Sequence, residues 1–291
     1  MTTAGERMRK YGIRPARSLG QSFLTDGNMI RRIADLVPDR RDGAVVEIGA
    51  GLGLLTALLA EKTPWLVAVE VDPRMTEILR GELKSLENVE ILERDILRVD
   101  LSVLRERFRR EKGLEGKLRI AGNIPYNISS PIFFHLLDYR RHIAEALLMF
   151  QREVAERIAA IPGSKAYGIL SVFARAWCEP VLETAVPSSC FRPVPKVESA
   201  VVRLPFREEP LVPVPDDAFF RRVVRTAFAR RRKTLLNNFK DFGGVSVPVP
   251  ELLAMAGIDG GRRGETLTVE EFGRLAKVLR DAGDSGRPDG R

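Results

Sequence analysis

The chain has 291 residues, 44% hydrophobic and 30% charged, which suits one large domain plus a smaller one and excludes a chain disordered throughout. Lysine and arginine outnumber aspartate and glutamate by 47 to 39, a net charge of +8. Such an excess favours nucleic acid as a partner, with an anionic membrane surface or a merely well-solvated basic enzyme as the alternatives. Two cysteines (Cys178, Cys190) and two histidines (His135, His142) make no CxxC pair or Cys/His cluster, so no metal is expected and a reducing cytoplasm fits. The start lacks the apolar core of a secretory signal, and no apolar run reaches the ~18 residues of a membrane span. The expectation is a soluble, cytoplasmic monomer with no membrane partner.

In chain order, residues 1–20 are basic (Arg7, Arg9, Lys10, Arg14, Arg17) and broken by glycine and proline, which predicts an arm rather than a core element. Thr25 or Asp26 is placed to cap a helix over 28–37, whose apolar Met29, Ile30, Ile33, Leu36 and Val37 follow helical spacing, and Pro38 ends it. Strand patterns at 44–48, 66–70, 89–92, 118–121 and 145–150 follow, with helical patterns at 54–62 and 73–84 between the first of them. Runs at 181–186 and 199–204 are suited to pairing at the sheet edge. This alternation predicts an α/β, doubly wound sheet with helices on both faces. Closely spaced prolines then predict a stiff linker at 206–215, between a domain over 21–205 and a helical domain over 216–280, with a disordered tail at 281–291.

The chemistry gathers at strand ends. Gly49, Gly51 and Gly53 make a strand-to-helix turn whose N–H groups can approach a ligand. The spacing lacks the third position of the dinucleotide fingerprint, and such turns also serve packing. Glu70 ends the second strand about twenty residues on, where a carboxylate can accept both ribose hydroxyls. Asp95, followed by Ile96, comes after the third strand at the same carboxyl edge of the sheet and suits an adenine amino group. NAD and S-adenosylmethionine both carry a ribose and an adenine, so these residues give a nucleoside ligand without its identity.

The run Gly122-Asn123-Ile124-Pro125-Tyr126-Asn127-Ile128-Ser129 separates the two. It resembles the Asn/Asp-Pro-Pro-Tyr/Phe motif of methyltransferases acting on exocyclic amines, in the Asn-Ile/Leu-Pro-Tyr form of ribosomal RNA adenine methyltransferases. An adenine amino nitrogen is a poor nucleophile because its lone pair is delocalised into the ring. Asn123 and the carbonyl of Ile124 can accept its two hydrogens, favour a pyramidal nitrogen and aim the lone pair at a sulfonium methyl, a placement effect. Pro125 limits the freedom of the loop, and Tyr126 offers a flat face to an extruded base. No general base is required, since water can take the proton from the positively charged amine.

Further runs carry a resemblance to about residue 280. Arg17–Leu24, Ser164-Lys165-Ala166-Tyr167-Gly168, the segment from Phe191 through Pro193, Pro195 and Lys196 to Ser199 and Val201, and Arg231-Arg232-Lys233-Thr234-Leu235 resemble signatures of the bacterial small-subunit ribosomal RNA adenine dimethyltransferases, the kasugamycin-sensitivity family. The resemblance implies a Rossmann-like class I methyltransferase domain with a small α-helical C-terminal domain, and S-adenosylmethionine as cofactor. It implies dimethylation of two adjacent adenines near the 3′ end of 16S rRNA, with the small ribosomal subunit as partner. By position, Ser22, Leu24, Gly49, Gly51, Glu70, Asp95, Ile96 and Asn123 would line the cofactor pocket and Phe191 would cover the other face of the target base. Position 22 is often asparagine in the family, so the shorter serine leaves a direct cofactor contact open.

Arg221, Arg222, Arg225, Arg230, Arg231, Arg232 and Lys233 fall on one expected helix, with Val223, Val224, Ala227 and Phe228 as a docking stripe. Phosphate contact is favoured over a solvated face. The rivals are a large-subunit rRNA adenine methyltransferase of the antibiotic-resistance type and a ribosome-assembly or transcription factor that works by binding.

Overall fold

The structure, a computed structural model, describes residues 3–13, 21–214 and 216–284. Along the first half run α1 (Ala4–Lys10), β1 (Phe23–Leu24), α2 (Gly27–Leu36), β2 (Val45–Ile48), α3 (Leu54–Ala60), β3 (Leu66–Glu70), α4 (Pro73–Glu82), β4 (Val89–Glu93), α5 (Leu101–Lys112), β5 (Leu118–Asn123) and α6 (Ser129–Asp138). Then come β6 (Ile143–Gln151), α7 (Arg152–Ala159), α8 (Ile169–Trp177), β7 (Val181–Val186), β8 (Phe191–Arg192) and β9 (Ser199–Pro205). The remainder is helical: α9 (Asp217–Ala227), α10 (Leu235–Phe239), α11 (Val249–Met255) and α12 (Val269–Asp284).

Seven strands form one sheet in the order β4-β3-β2-β5-β6-β9-β7. The first five are parallel, and β9 lies antiparallel between β6 and β7. Every residue of β2 and β3 is buried, which is why both read as short continuous runs rather than alternating ones. The chain leaves β2 towards β3 and β4 on one side and returns to β5 on the other. The crevice at the carboxyl ends of β2 and β5 is therefore where an open α/β sheet receives a ligand. Local signals set the helices: Asp26 Oδ1 accepts from Met29 N–H at 2.8 Å to start α2, and Asp72 caps α4 with Pro73 in its first turn.

The chain packs as two compact units, Met1–Ala155 with Pro180–Phe206, and Glu156–Glu179 with Arg207–Arg291. The expected linear division at 205 is thus corrected. Residues 156–179 join the second unit because Phe173 of α8 packs edge-on against Phe220 of α9, ring centres 5.6 Å apart. The proline-rich stretch is not a free linker either. Arg207 and Leu211 N–H donate to Trp177 O (2.9 Å) and Ala176 O (2.8 Å), and Val212 is buried.

Both ends also differ from expectation. Residues 4–10 form a capped helix, not an arm, and Arg7 is buried. Arg7 Nη1 donates to Leu52 O at 2.6 Å and Nε lies 3.2 Å from Glu82, a carboxylate that also takes Lys10 at 2.6 Å. Arg14 and Arg17 lie outside the described residues. Helix α12 continues past 280 to Asp284, and 285–291 lie outside the described residues. Among the described residues no helix is long and apolar enough to cross a membrane, and no group of three or more His, Cys, Asp or Glu could hold a metal ion.

Candidate active site

The carboxyl ends of β2, β3, β4 and β5 surround an open cleft, placed where a small molecule can enter. Ser22, Gly49, Gly51, Glu70, Asp95, Ile96, Asn123, Ile124, Pro125 and Tyr126 all line it. Leu24 lines an adjoining cavity with Glu47, Gly49, Gly51 and Asn123. Two glycines make this convergence possible. A Cβ at Gly122 would lie 2.4 Å from Ile48 O, so β5 could not approach β2. Gly49 adopts φ +71°, and a Cβ there would lie 3.3 Å from Asn123 O. The turn after β2 and the motif after β5 thereby share one wall.

Glu70 is buried beneath that turn. Its Oε2 accepts from Gly51 N–H (2.9 Å), and its Oε1 accepts from Val71 (2.8 Å) and Asp72 (3.0 Å) N–H. Burial pushes the carboxyl above the usual range, and the three N–H groups oppose it. A carboxylate offers about four acceptor positions, of which the backbone occupies three. Asp95 uses Oδ1 on Leu97 N–H at 3.0 Å. Ile48, Val69, Ile96 and Ile132 supply apolar wall between these acids. Acids that accept from hydroxyl and amino groups, set around an apolar slot, fit an adenosine moiety.

Asn123 is oriented by its neighbours. Nδ2 donates to Ser22 O at 3.2 Å, which leaves Oδ1 as an acceptor, and Ile124 N–H donates to Met149 O at 3.0 Å. The Ser22 hydroxyl donates to Pro193 O at 2.8 Å. Phe191 does not line the cleft, contrary to its expected place over the target base. Pairing with Leu24 across the β1–β8 ribbon turns it into the core, where it is fully buried among Ile33, Ala34 and Val201.

The sequence pattern of the family described as Ribosomal RNA adenine dimethylase matches residues 14–281. The chain belongs to that family. Its relatives named ribosomal RNA small subunit methyltransferase A include one from Geobacter sulfurreducens, 46% identical over 96% of this chain and all of the relative. Another, from Syntrophus aciditrophicus, is 42% identical over 96% of this chain and 99% of the relative. Among solved structures, a dimethyladenosine transferase from Plasmodium falciparum superposes with a TM-score of 0.74 at 25% identity, covering 90% of this chain and 98% of that one. A 23S rRNA methyltransferase superposes with a TM-score of 0.64 at 28% identity, covering 89% and 99%. The dimethylase fold is the Rossmann-like methyltransferase fold, and its reaction depends on S-adenosylmethionine.

The basic segment of this dimethylase is not one helix. Helix α9 ends at Ala227, and Arg230 to Lys233 lie in the turn before α10, which Thr234 caps. Several of the expected phosphate contacts are engaged within the second unit. Arg222 donates to Gly243 O at 2.6 Å and sits 4.1 Å from the Phe242 ring centre. Arg231 donates to Lys165 O, and Arg221 lies 5.9 Å from the Phe173 ring centre. Arg225, Arg230, Arg232 and Lys233 are exposed.

Three residues about the site were given no individual role by sequence reasoning. Gln21 lines the cleft and donates to Asp72 Oδ2 at 2.9 Å, and Arg74 on the same carboxylate holds it below the usual range. Glu47, in the middle of β2, looked like part of a buried strand; among the described residues its Oε2 has no hydrogen-bond partner of good geometry, and burial, opposed by nearby Thr56, pushes the carboxyl up to about 8. Ser199 touches Tyr126 from β9. The signal that could have found Glu47 is an acid inside a continuous apolar run.

Proposed function

We propose that this dimethylase acts in the cytoplasm, as a monomer, on the small ribosomal subunit, converting two adjacent adenines near the 3′ end of 16S rRNA to their N6,N6-dimethyl forms. The observation that carries the chemistry is the orientation of Asn123: with Nδ2 given to Ser22 O, Oδ1 is the acceptor beside the cleft. The choice of subunit is supported by relatives of 42–46% identity whose names specify the small one.

S-adenosylmethionine supplies the methyl group when bound. Glu70 takes a ribose hydroxyl at its remaining acceptor position, and Asp95 accepts from the adenine amino group of the cofactor. The backbone of Gly49 and Gly51 lets that ligand lie close to the sheet. Asn123 Oδ1 and Ile124 O take the two hydrogens of the target amino group and turn its lone pair into the cleft. Tyr126 stacks on the extruded base. Once one methyl is in place a single N–H remains, so the second transfer uses only one of the two acceptors. The amine that has gained a methyl carries positive charge and gives its proton to water. Arg225, Arg230, Arg232 and Lys233 neutralise RNA phosphates.

Radiolabelled methyl transfer to unmodified small subunits, naked rRNA and large subunits tests this directly. Label in the small subunit, as dimethyladenosine, is the expected result. Label confined to large subunits would place the enzyme with the antibiotic-resistance type, and tight binding without label would make it an assembly factor.

A further inference from the structure

The signature from Phe191 to Ser199 reaches the cleft by a route other than the Phe191 ring. Ser199 opens β9, paired with Gln151 of β6 on one side and Val186 of β7 on the other, and it is fully buried. Its Oγ lies 2.9 Å from Tyr126 Oη, a hydrogen bond in which either hydroxyl can donate. Tyr126 stands on much softer ground. It begins a single 3-10 turn, Tyr126–Ile128, directly after Pro125, and its ring is only half buried against the cleft. A ring on such a turn has two torsions to settle, and its χ2 is a broad one. A hydroxyl tied to a serine held between two strands removes that freedom.

We infer that Ser199 is a positioning residue for methyl transfer: by holding the Tyr126 hydroxyl it fixes the ring in the plane on which the target adenine stacks. The inference rests on the stacking role proposed for Tyr126. Orientation of a reacting group enters the rate directly, so freeing the ring slows transfer without touching the cofactor. The loss corresponds to one neutral hydrogen bond, roughly twofold to tenfold in rate.

Single-turnover transfer to small subunits, with calorimetry for S-adenosylmethionine, distinguishes the outcomes. Ser199→Ala and Tyr126→Phe should each slow transfer by the same roughly twofold to tenfold, with cofactor affinity unchanged. The double variant should be no slower than either single one, because both remove the same bond. Ser199→Thr, which keeps the hydroxyl on a strand residue, should restore most of the rate. Ser199→Ala at the wild-type rate, or losses that multiply in the double variant, would overturn the inference. Should Ser199→Ala fail to fold, Tyr126→Phe cuts the same bond from the cleft side, and an unchanged rate there overturns it equally. Tyr126→Ala separates the two layers. A wild-type rate in that variant removes the stacking role and this inference with it; a severe loss there, with Ser199→Ala and Tyr126→Phe both unaffected, removes the inference alone.

Discussion

Replacing Glu70 by alanine should weaken cofactor binding and also cost some stability of the fold. The carboxylate gathers the N–H groups of Gly51, Val71 and Asp72 at 2.8–3.0 Å and keeps one acceptor position for the ligand. Losing a hydrogen bond to a charged group is worth ~1.5–3 kcal/mol, which is roughly a 10- to 150-fold rise in Kd. The fold loses stability too, because the Gly51 and Asp72 N–H groups are buried and lose their acceptor, offset in part by no longer burying a carboxyl. Glu70→Gln sharpens the test. Its amide oxygen can serve the Val71–Asp72 pair, but its NH2 then faces the Gly51 N–H, donor against donor, so it should lose nearly as much affinity as alanine. Calorimetry with S-adenosylmethionine at fixed salt, beside thermal melts of the free proteins, measures both parts. Wild-type affinity in both variants, or a loss no larger than the unfolded fraction explains, would refute the ribose contact.

Asn123→Ala should cut the single-turnover methyl-transfer rate far more than it weakens cofactor binding, because its contact with the target amine is made chiefly during transfer; a near-normal rate rules the role out. Glu47, pushed up to about 8 by burial from an ordinary value of 4.5, keeps a proton in the folded chain that the unfolded chain gives up earlier. Its contribution to stability is full in acid and is lost as pH rises from about 4.5 to about 8. Melts across that range should therefore show wild type falling against Glu47→Gln by on the order of a few kcal/mol, and parallel curves would contradict it. An Arg225→Glu/Arg232→Glu variant should bind small subunits more weakly and flatten the dependence of log K on log salt by ~0.7–0.9 per lost phosphate contact. Cofactor affinity should stay constant, since every residue lining the cleft belongs to the other unit. An unchanged slope would return these arginines to a solvated face.

What the sequence determined by itself is what short-range physics encodes. Continuous apolar runs marked β2 and β3, glycines marked a turn that needs positive φ, and acids at strand ends marked the ligand edge, so the cleft was legible down to Glu70, Asp95 and Asn123. Helix α5 was not, because only Leu101, Leu104 and Phe108 of its twelve residues are buried and seven of the other nine are charged. The tertiary structure decided everything that depends on which distant segments meet. Charge put Arg7 in solvent, yet Glu82 and Leu52 O bury it. The run of arginines looked like one helix, but the chain breaks after Ala227 and restarts at the Thr234 cap. Prolines announced extended backbone at 206–215 without saying which unit it would lie along. Phe191 and Ser199 were placed by the same kind of remote pairing: pairing with Leu24 sends the ring into the core, and the place of β9 between β6 and β7 brings the serine hydroxyl to Tyr126. Propensity acts within a few residues, whereas burial and hydrogen-bond partners are settled only when remote strands come into register.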